Sequence, residues 1–266
     1  MYEQISIAAT GLYQQQRRLD VIADNIANVN TIGFKSGRLD FRDAMYTAGY
    51  IPGPPYSPEE NQQKGHGVLT SQITKDMSNG SIQETGGQLD FVLHGEAFFS
   101  VLDARNNTHY TKAGNFYNVV CPMAEEPGGM ELFTDQGHHV LDSNGDVIKV
   151  PSNTTIVEAT PDGHLTFYNG LDPVGEAQLG IYTFQNQYGL SYEGDSEFAV
   201  TEASGEARAA LPEEYTVIQG AVEMSTVSLA QEMQLMIRSQ RAFSLAARAL
   251  KTGDDMEQLA NGMKTA

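Results

Sequence analysis

Six histidines, one cysteine and several adjacent carboxylates are the side chains of this sequence that could do chemistry, and none is spaced to do it. His138 and His139 are neighbours. On a strand, adjacent side chains point to opposite faces, so the two cannot ligate one metal ion. Cys121 is the single cysteine and precedes Pro122. It excludes an internal disulfide and a cysteine-based metal cluster, and with no histidine at a readable spacing it reads as a half-buried small residue, not a nucleophile. The pairs Glu125-Glu126, Glu213-Glu214 and Asp254-Asp255 resemble in type the acid and base of a glycosidase that cuts cell-wall polysaccharide. Adjacent carboxylates, however, make a solvated face, and no apolar pocket is implied around any of them. Gly86-Gly87 and Gly128-Gly129 are turns, since no Gly-Lys-Ser/Thr follows either. The expectation is therefore no enzyme, with no catalytic residue, no cofactor, no metal and no small-molecule substrate.

The stronger signal is at the two ends. Ile5, Ala8, Leu12, Leu19, Ile22, Ile26 and Val29 fall on a 3-4 spacing with Gln15 the one polar residue in the stripe. Leu229, Met233, Met236, Phe243, Ala247 and Leu250 do the same, with Gln240 in the equivalent place. Such spacing puts a narrow apolar seam on one side of a helix, as in a coiled coil. Two seams separated by almost 200 residues each need a partner: each other, and copies of themselves in neighbouring subunits. The bland alternative is a pair of ordinary core helices in a monomer. If the helices run antiparallel, Gln15 and Gln240 both lie roughly 20 Å from the linker side at about 1.5 Å per residue. They are then placed to meet and fix the register.

Charge divides the chain in the same way. Residues 1–45 and 217–266 each hold five basic and five acidic residues, while 46–216 hold six basic and 24 acidic, so the whole net charge of −18 sits in the middle. Neutral ends can pack densely, whereas an acidic middle belongs on a solvated surface. The same balance argues against a nucleic-acid partner, which requires a basic face. The N-terminal stretch lacks a basic region followed by a continuous apolar run, so no cleaved signal peptide is expected. No run of about 18 apolar residues spans a membrane.

The first helix is expected over about Tyr2 to Val29, with Asn30 or Gly33 taking the left-handed conformation at its end. The last begins near Thr226 or Ser228 and reaches about Lys251, where Thr252-Gly253-Asp254-Asp255 disturbs the period. Met256, Leu259 and Met263 then continue it in a shifted register. Between them the runs Phe91-Val92-Leu93, Phe98 to Leu102, Thr155-Ile156-Val157, Leu165 to Tyr168, Gly180 to Phe184 and Phe198-Ala199-Val200 are strand-like. Asn144-Gly145 and Asp162-Gly163 are turn signals. The expected fold class is α+β, with paired long terminal α-helices, coiled-coil-like, flanking an all-β middle domain. Residues 1–33 with 225–266 form the helical assembly domain. Residues 34–79 with 203–224 form a linker region, whose Pro-rich 46–67 reads as an extended loop. Residues 80–202 form a β-rich outer domain.

The residues from Leu19 to Lys35, with Asn25, Asn28, Thr31, Gly33, Phe34 and Lys35 as their fixed points, resemble the N-terminal signature of the bacterial flagellar basal-body rod and hook proteins. The stretch Gly220 to Leu229 is similar to that family's second signature, extended by Glu232-Met233, Met236-Ile237 and Gln240 to Phe243. Gly95 to Phe99 and Tyr110-Thr111-Lys112 look like the start of its β domain. The chain departs from the family pattern at Ala113, at Thr226 and at Ala246-Ala247-Arg248. Its length and the 46–67 segment are most like the distal rod branch, with a proximal rod or hook-like member as the alternative. A cell-surface binding adaptor, a β domain on a helical stalk, is the reading from outside the family. The resemblance implies a structural subunit that assembles with copies of itself and with neighbouring rod and hook proteins into a hollow helical shaft transmitting torque. It implies export by the flagellar apparatus and a place in the basal body. The seam residues would form the assembly interface, and Phe34 would anchor against the returning chain near Val222.

Overall fold

The computed structural model of the chain describes residues 2–49, 62–120 and 129–264. The fold is α+β, with a helix at each end and a mostly β middle. It comprises two compact units, each assembled from separated stretches: Met1–Ala27, Gly37–Thr74 and Ser228–Ala266 in the first, Asn28–Ser36 and Lys75–Val227 in the second. No helix among the described residues is long and apolar enough to cross a membrane.

The first unit is built on α1 (Tyr2–Ala27) and α2 (Leu229–Lys264). They run antiparallel. Asn25 bonds to Glu232 near one end, and Ile5 lies against Gly253 near the other, where a Cβ on that glycine would sit 3.3 Å from the Ile5 Cγ1. The second helix therefore runs unbroken through 252–255, past the end near Lys251 and the disturbed period that the sequence suggests. Gly253 lets the partner helix approach, and Thr252 Oγ1 bonds back to the Arg248 carbonyl at 2.5 Å, an arrangement that α-helices tolerate. Helix α2 is thus 36 residues long, about 54 Å at 1.5 Å per residue. Alongside lie β1 (Gly37–Asp43) and β4 (Val68–Lys75), which form one two-stranded sheet, and β2 (Tyr46–Gly49) and β3 (Gln62–Gly65), which form another. The latter pair is antiparallel, with Tyr46 opposite Gly65 and Gly49 opposite Gln62. The segment expected as an extended loop over 46–67 therefore begins and ends as paired strand, and Pro52, Pro54 and Pro55 lie outside the described residues. Arg17 donates to Thr70, Thr70 to Gln14, and Arg18 stands over the Phe41 ring at 5.6 Å, which ties the strands to α1.

The second unit contains the remaining strands. Its entry and exit are β5 (Ile82–Glu84) and β6 (Phe91–Gly95), each antiparallel to a late strand: β21 (Ala221–Glu223) and β20 (Tyr215–Gln219) respectively. The largest sheet is organised around β7 (Ala97–Leu102), flanked by β8 (Thr108–Thr111), β11 (His139–Val140) and β16 (Ile181–Thr183). It is extended by β9 (Tyr117–Val120), β10 (Met130–Phe133) and β12 (Lys149–Val150) on one side. On that same side β19 (Arg208–Ala209) lies beyond β16, and on the other side the sheet is extended past β8 by β18 (Glu197–Ala199) and β17 (Ser191–Gly194). A separate antiparallel sheet holds β13 (Ile156–Ala159), β14 (His164–Asn169) and β15 (Asp172–Gln178). The turn signals hold: Gly145 and Gly163 both have positive φ and donate back to Asp142 and Thr160.

Strand β7 is buried on both faces, which is why its sequence is apolar apart from the buried Ser100 instead of alternating. Phe99 enters the main core with Phe91, Phe116, Leu132, Leu165 and Phe167. Phe98, pointing the other way, enters a second cluster with Tyr110, Phe184 and Phe198. We expect Phe99→Ala to cost about 3–5 kcal/mol. The chain contains no tryptophan and 12 tyrosines, so a urea titration followed by tyrosine emission reads the loss.

Candidate assembly site

In the first unit the sequence-predicted stripe on α1 is turned inward. Ile22 is buried, and Ile5, Ala8, Leu12, Gln15, Leu19 and Ile26 are half-buried. Val29, just beyond the helix, is also half-buried. On α2 the inward row is different from the one the apolar residues suggest. Glu232, Met236, Ser239, Phe243, Ala246, Leu250 and Gly253, on a strict 4-3 alternation, are withdrawn from solvent, with Leu235, Ala242, Ala247 and Glu257 half-buried beside them. Leu229, Met233 and Gln240 are exposed. The packed row is thus rotated by one position, sharing Met236, Phe243 and Leu250 with the expected stripe. What it gains is small or polar, so the helices approach closely, and larger apolar side chains are left exposed on both flanks of the row. Met233 is 54% exposed, Ile237 51%, Leu245 62%, Leu259 69% and Met263 76%.

The polar positions of the inward row are specific. Asn25 Oδ1 accepts from the Gly37 N–H, and Asn25 Nδ2 donates to the Gly37 carbonyl, both at 2.8 Å, so one side chain pairs with a backbone as a strand would. The same Nδ2 donates to Glu232 Oε1 at 3.2 Å. Burial pushes the Glu232 carboxyl above its ordinary value, against the pull of Asn25 and Arg18. Glu232 Oε2, Ser239 Oγ and Gln15 Oε1 are buried without a hydrogen-bond partner. The register set by Asn25–Glu232 and Ile5–Gly253 brings Gln15 level with about Ala242, and Gln240 faces away.

The other signature residues lie in the second unit. Thr31 Oγ1 donates to Asn28 Oδ1 at 3.2 Å, closing the turn after α1. Gly33 has φ +67°, and a Cβ there would lie 2.5 Å from the Ala113 amide nitrogen; its N–H donates to the Glu223 carbonyl at 2.8 Å. The left-handed residue is therefore Gly33, placed in the following turn and not at the helix cap, since α1 ends at Ala27. Phe34 is buried. Its carbonyl accepts from the Thr226 N–H, while its ring meets Tyr192 edge-on at 6.5 Å and lies 4.5 Å from the Lys75 ammonium. Its ring anchor is thus an aromatic–cation stack.

Lys35 goes inside. It is 1% exposed and pairs with Glu223, 2% exposed, at 2.7 Å. Its ammonium also donates to the Ser78 carbonyl at 2.6 Å, and Glu223 Oε1 accepts from the Gly80 N–H at 2.7 Å. Gly80 is required there, because a Cβ would collide with the Met224 carbonyl. A second buried lysine, Lys112, donates to the Gly95 carbonyl at 2.6 Å and stands over the Phe98 ring at 5.4 Å. Its pKa is lowered to about 8, first by burial and then by the neighbouring Lys35 charge, with Glu223 and Glu96 opposing. Glu223 and Lys112 are the residues that reading for assembly seams missed. A signal existed for the first: Glu223 is the one acidic residue between Tyr215 and Gln231, as Lys35 is the one basic residue between Leu19 and Gly37.

Comparison with known proteins agrees with the geometry. The family described as flagella basal body rod protein matches residues 5–35. The flagellar hook protein FlgE/F/G D1 domain matches 92–167, and the flagellar basal body rod FlgEFG protein C-terminal matches 218–263. The flagellar basal-body rod protein FlgG of Bacillus subtilis is 34% identical over 257 residues, covering 94% of each chain. That of Agrobacterium fabrum is 32% identical, covering 96% of this chain and 97% of its own. That of Borreliella burgdorferi is 31% identical over 97% of both.

Two outcomes follow from the buried charges. Lys35→Met leaves a carboxylate unpaired in the interior and should cost about 3–5 kcal/mol, while Lys35→Met with Glu223→Leu should recover most of that loss; urea midpoints of the single and double variants decide it. Lys112 has a folded-state pKa below its unfolded one, so the unfolded chain binds the extra proton between about pH 8 and 10.5. Stability relative to Lys112→Met should therefore rise with pH across that window, read from unfolding midpoints at pH 7.5, 9 and 10.

Proposed function

The chain belongs to the flagellar basal-body rod protein family and is a structural rod subunit, and from that premise we propose that its terminal helices form the contacts by which copies build a hollow shaft. The observation that carries this is the set of large apolar side chains left exposed on the two flanks of α2's packed row. Met233 and Ile237 flank it on one side, and Leu245, Met256, Leu259 and Met263 on the other, all on a helix whose inward row is already packed on α1. Exposed large apolar side chains gathered on a helix mark a contact site. The neutral balance of the two ends supports it, since like surfaces stacked many times over must not repel.

In this reading the helices pack as a coiled coil, α1 against α2 within a subunit by the small and polar row and against neighbouring subunits by the exposed apolar side chains on its flanks. The contacts are heterologous and do not close, which generates a helix of subunits instead of a ring. Residues 1–33 with 225–266 are the assembly region, 34–79 with 203–224 join it to the remainder, and the acidic 80–202 belong on the solvated surface. The relatives are named basal-body rod proteins, which supports the distal branch of the family. It also supports a place in the basal body with rod and hook proteins as neighbours, reached by the flagellum's own export route. A shaft of this kind works by stiffness, and torque passes through it to the hook.

The test is concentration-dependent assembly. The wild-type chain should form elongated particles, by electron microscopy and sedimentation, as concentration rises. Met233→Lys with Ile237→Lys should abolish the particles at every concentration while shifting the monomer's unfolding free energy by no more than about 0.5 kcal/mol per site. Assembly that survives both substitutions would remove that flank of α2 from the interface.

A further inference from the structure

His138 sits between two carboxylates. Its Nδ1 is 2.7 Å from Glu197 Oε1 and its Nε2 is 3.2 Å from Asp103 Oδ1. The three residues come from three places in the sheet. His138 closes the β10–β11 turn, where its carbonyl accepts from the Thr134 N–H and its own N–H donates to Thr134 Oγ1. Glu197 opens β18 and is 5% exposed. Asp103 follows β7 and is held by the Asn107 carbonyl through its backbone. From β8, the His109 ring stacks on His138, with centroids 6.4 Å apart and planes at 24°, and its Nδ1 is buried without a partner. Asp195 adds negative charge beside Glu197. The adjacent His139 points elsewhere, its Nδ1 3.1 Å from Glu131 Oε2 without hydrogen-bond geometry.

Counting protons on this cluster gives an answer that does not depend on where each one rests. A neutral imidazole has one N–H and one lone pair. Between two ionised carboxylates, whichever nitrogen carries the lone pair would face an oxygen that also offers only lone pairs. One added proton makes the 2.7 Å contact with Glu197 a hydrogen bond and turns the 3.2 Å approach of Asp103 from repulsive to attractive. The proton can complete the imidazolium, which then donates to Glu197 and faces Asp103 with its second N–H. It can equally reside on Glu197, which then donates to Nδ1 while the Nε2–H faces Asp103. Either way the folded arrangement holds one proton more than a neutral histidine and two carboxylates.

We propose that the second unit takes up one proton on folding, shared between His138 and Glu197, and that this proton clasps the 134–138 turn to strands β7 and β18. The stability of the β-rich unit then answers to ambient pH. Burial raises the Glu197 carboxyl, with the His138 hydrogen bond and charge and the His109 charge pulling it back and Asp195 pushing it up. A carboxyl raised on folding binds its proton more readily in the folded chain. The stability it contributes is therefore full at low pH and is lost as pH rises through the raised value.

The test uses the unassembled full chain, so its outcome is separate from the assembly reading. Urea unfolding is followed by tyrosine emission from pH 5 to pH 8 for wild type, His138→Gln, Glu197→Gln and, as a control, His164→Gln, whose ring is 40% exposed and 3.6 Å from Glu176. The wild-type unfolding constant should rise with pH, by up to about tenfold per unit at the steepest point, the limit for one proton. Both clasp variants should flatten that rise and the control should keep it. A His138→Gln chain with the wild-type slope overturns the proposal, as does a wild-type chain with no slope. Should a clasp variant fail to fold, carbon-detected NMR of wild type reads the pair directly. The Glu197 carboxyl and His138 ring signals move together if they share the proton; two independent steps at ordinary values overturn it.

Discussion

An ammonium and a carboxylate 188 residues apart in sequence meet in the interior of the second unit, and much of what surrounds them is arranged so that they can. Lys35 and Glu223 are each costly to bury alone, since removing either leaves the other charged in a medium that solvates it poorly. The surroundings answer that cost with backbone: the Ser78 carbonyl for the ammonium, the Gly80 N–H for the carboxylate. Gly33 and Gly80 are glycines because the chain passes too close to Ala113 and to the Met224 carbonyl for any side chain. The Gly33 N–H on the Glu223 carbonyl and the Phe34 carbonyl on the Thr226 N–H stitch the early and late strands beside the pair. An apolar pair of the same volume could be as stable, but it would tolerate a slipped alignment of residues 33–35 against 222–226 that an ion pair does not.

The strands of the core were legible because burial on both faces leaves a largely apolar run. Phe98 to Leu102, broken only by Ser100, announces itself in this way, whereas Leu165 to Tyr168 is legible by alternation, with Leu165 and Phe167 buried and Thr166 and Tyr168 half-buried. Strand β15, Asp172–Gln178, does not. Its Pro173, Gly175 and Glu176 argue against a strand by propensity, and it exists because β14 supplies an edge to pair with. The arms β2 and β3 were hidden for the same reason, since Gln62–Gly65 is polar throughout.

The helices illustrate a different limit. On α2 two adjacent rows are candidates for the packed side, and hydropathy favours the one with Leu229 and Met233. The row facing α1 instead contains Glu232, Ser239, Ala246 and Gly253. Small residues permit close approach, and Asn25 and Glu232 supply a specific polar contact, neither of which an apolar count rewards. Met236, Phe243 and Leu250 belong to both rows, which is why the period was right while the face was off by one position. The family motif at Asn25 and Lys35 was readable as a pattern, but its physical content needed coordinates: one residue mimics a strand and the other is half of a buried ion pair.

Both units are discontinuous, and both draw on the last part of the chain. The first waits for α2, Leu229–Lys264, and the second for β21, Ala221–Glu223. While the polypeptide is being synthesised, α1 has emerged from the ribosome long before either partner exists, and so has Lys35 before Glu223. Closing loops of that length carries an entropic cost that grows slowly with length but must be met before any of these contacts forms. Native closure of either unit therefore waits until residues 221–264 have been made. A growing chain of this topology stays open until then, and a copy lacking α2 and β21 has no native way to shut either unit.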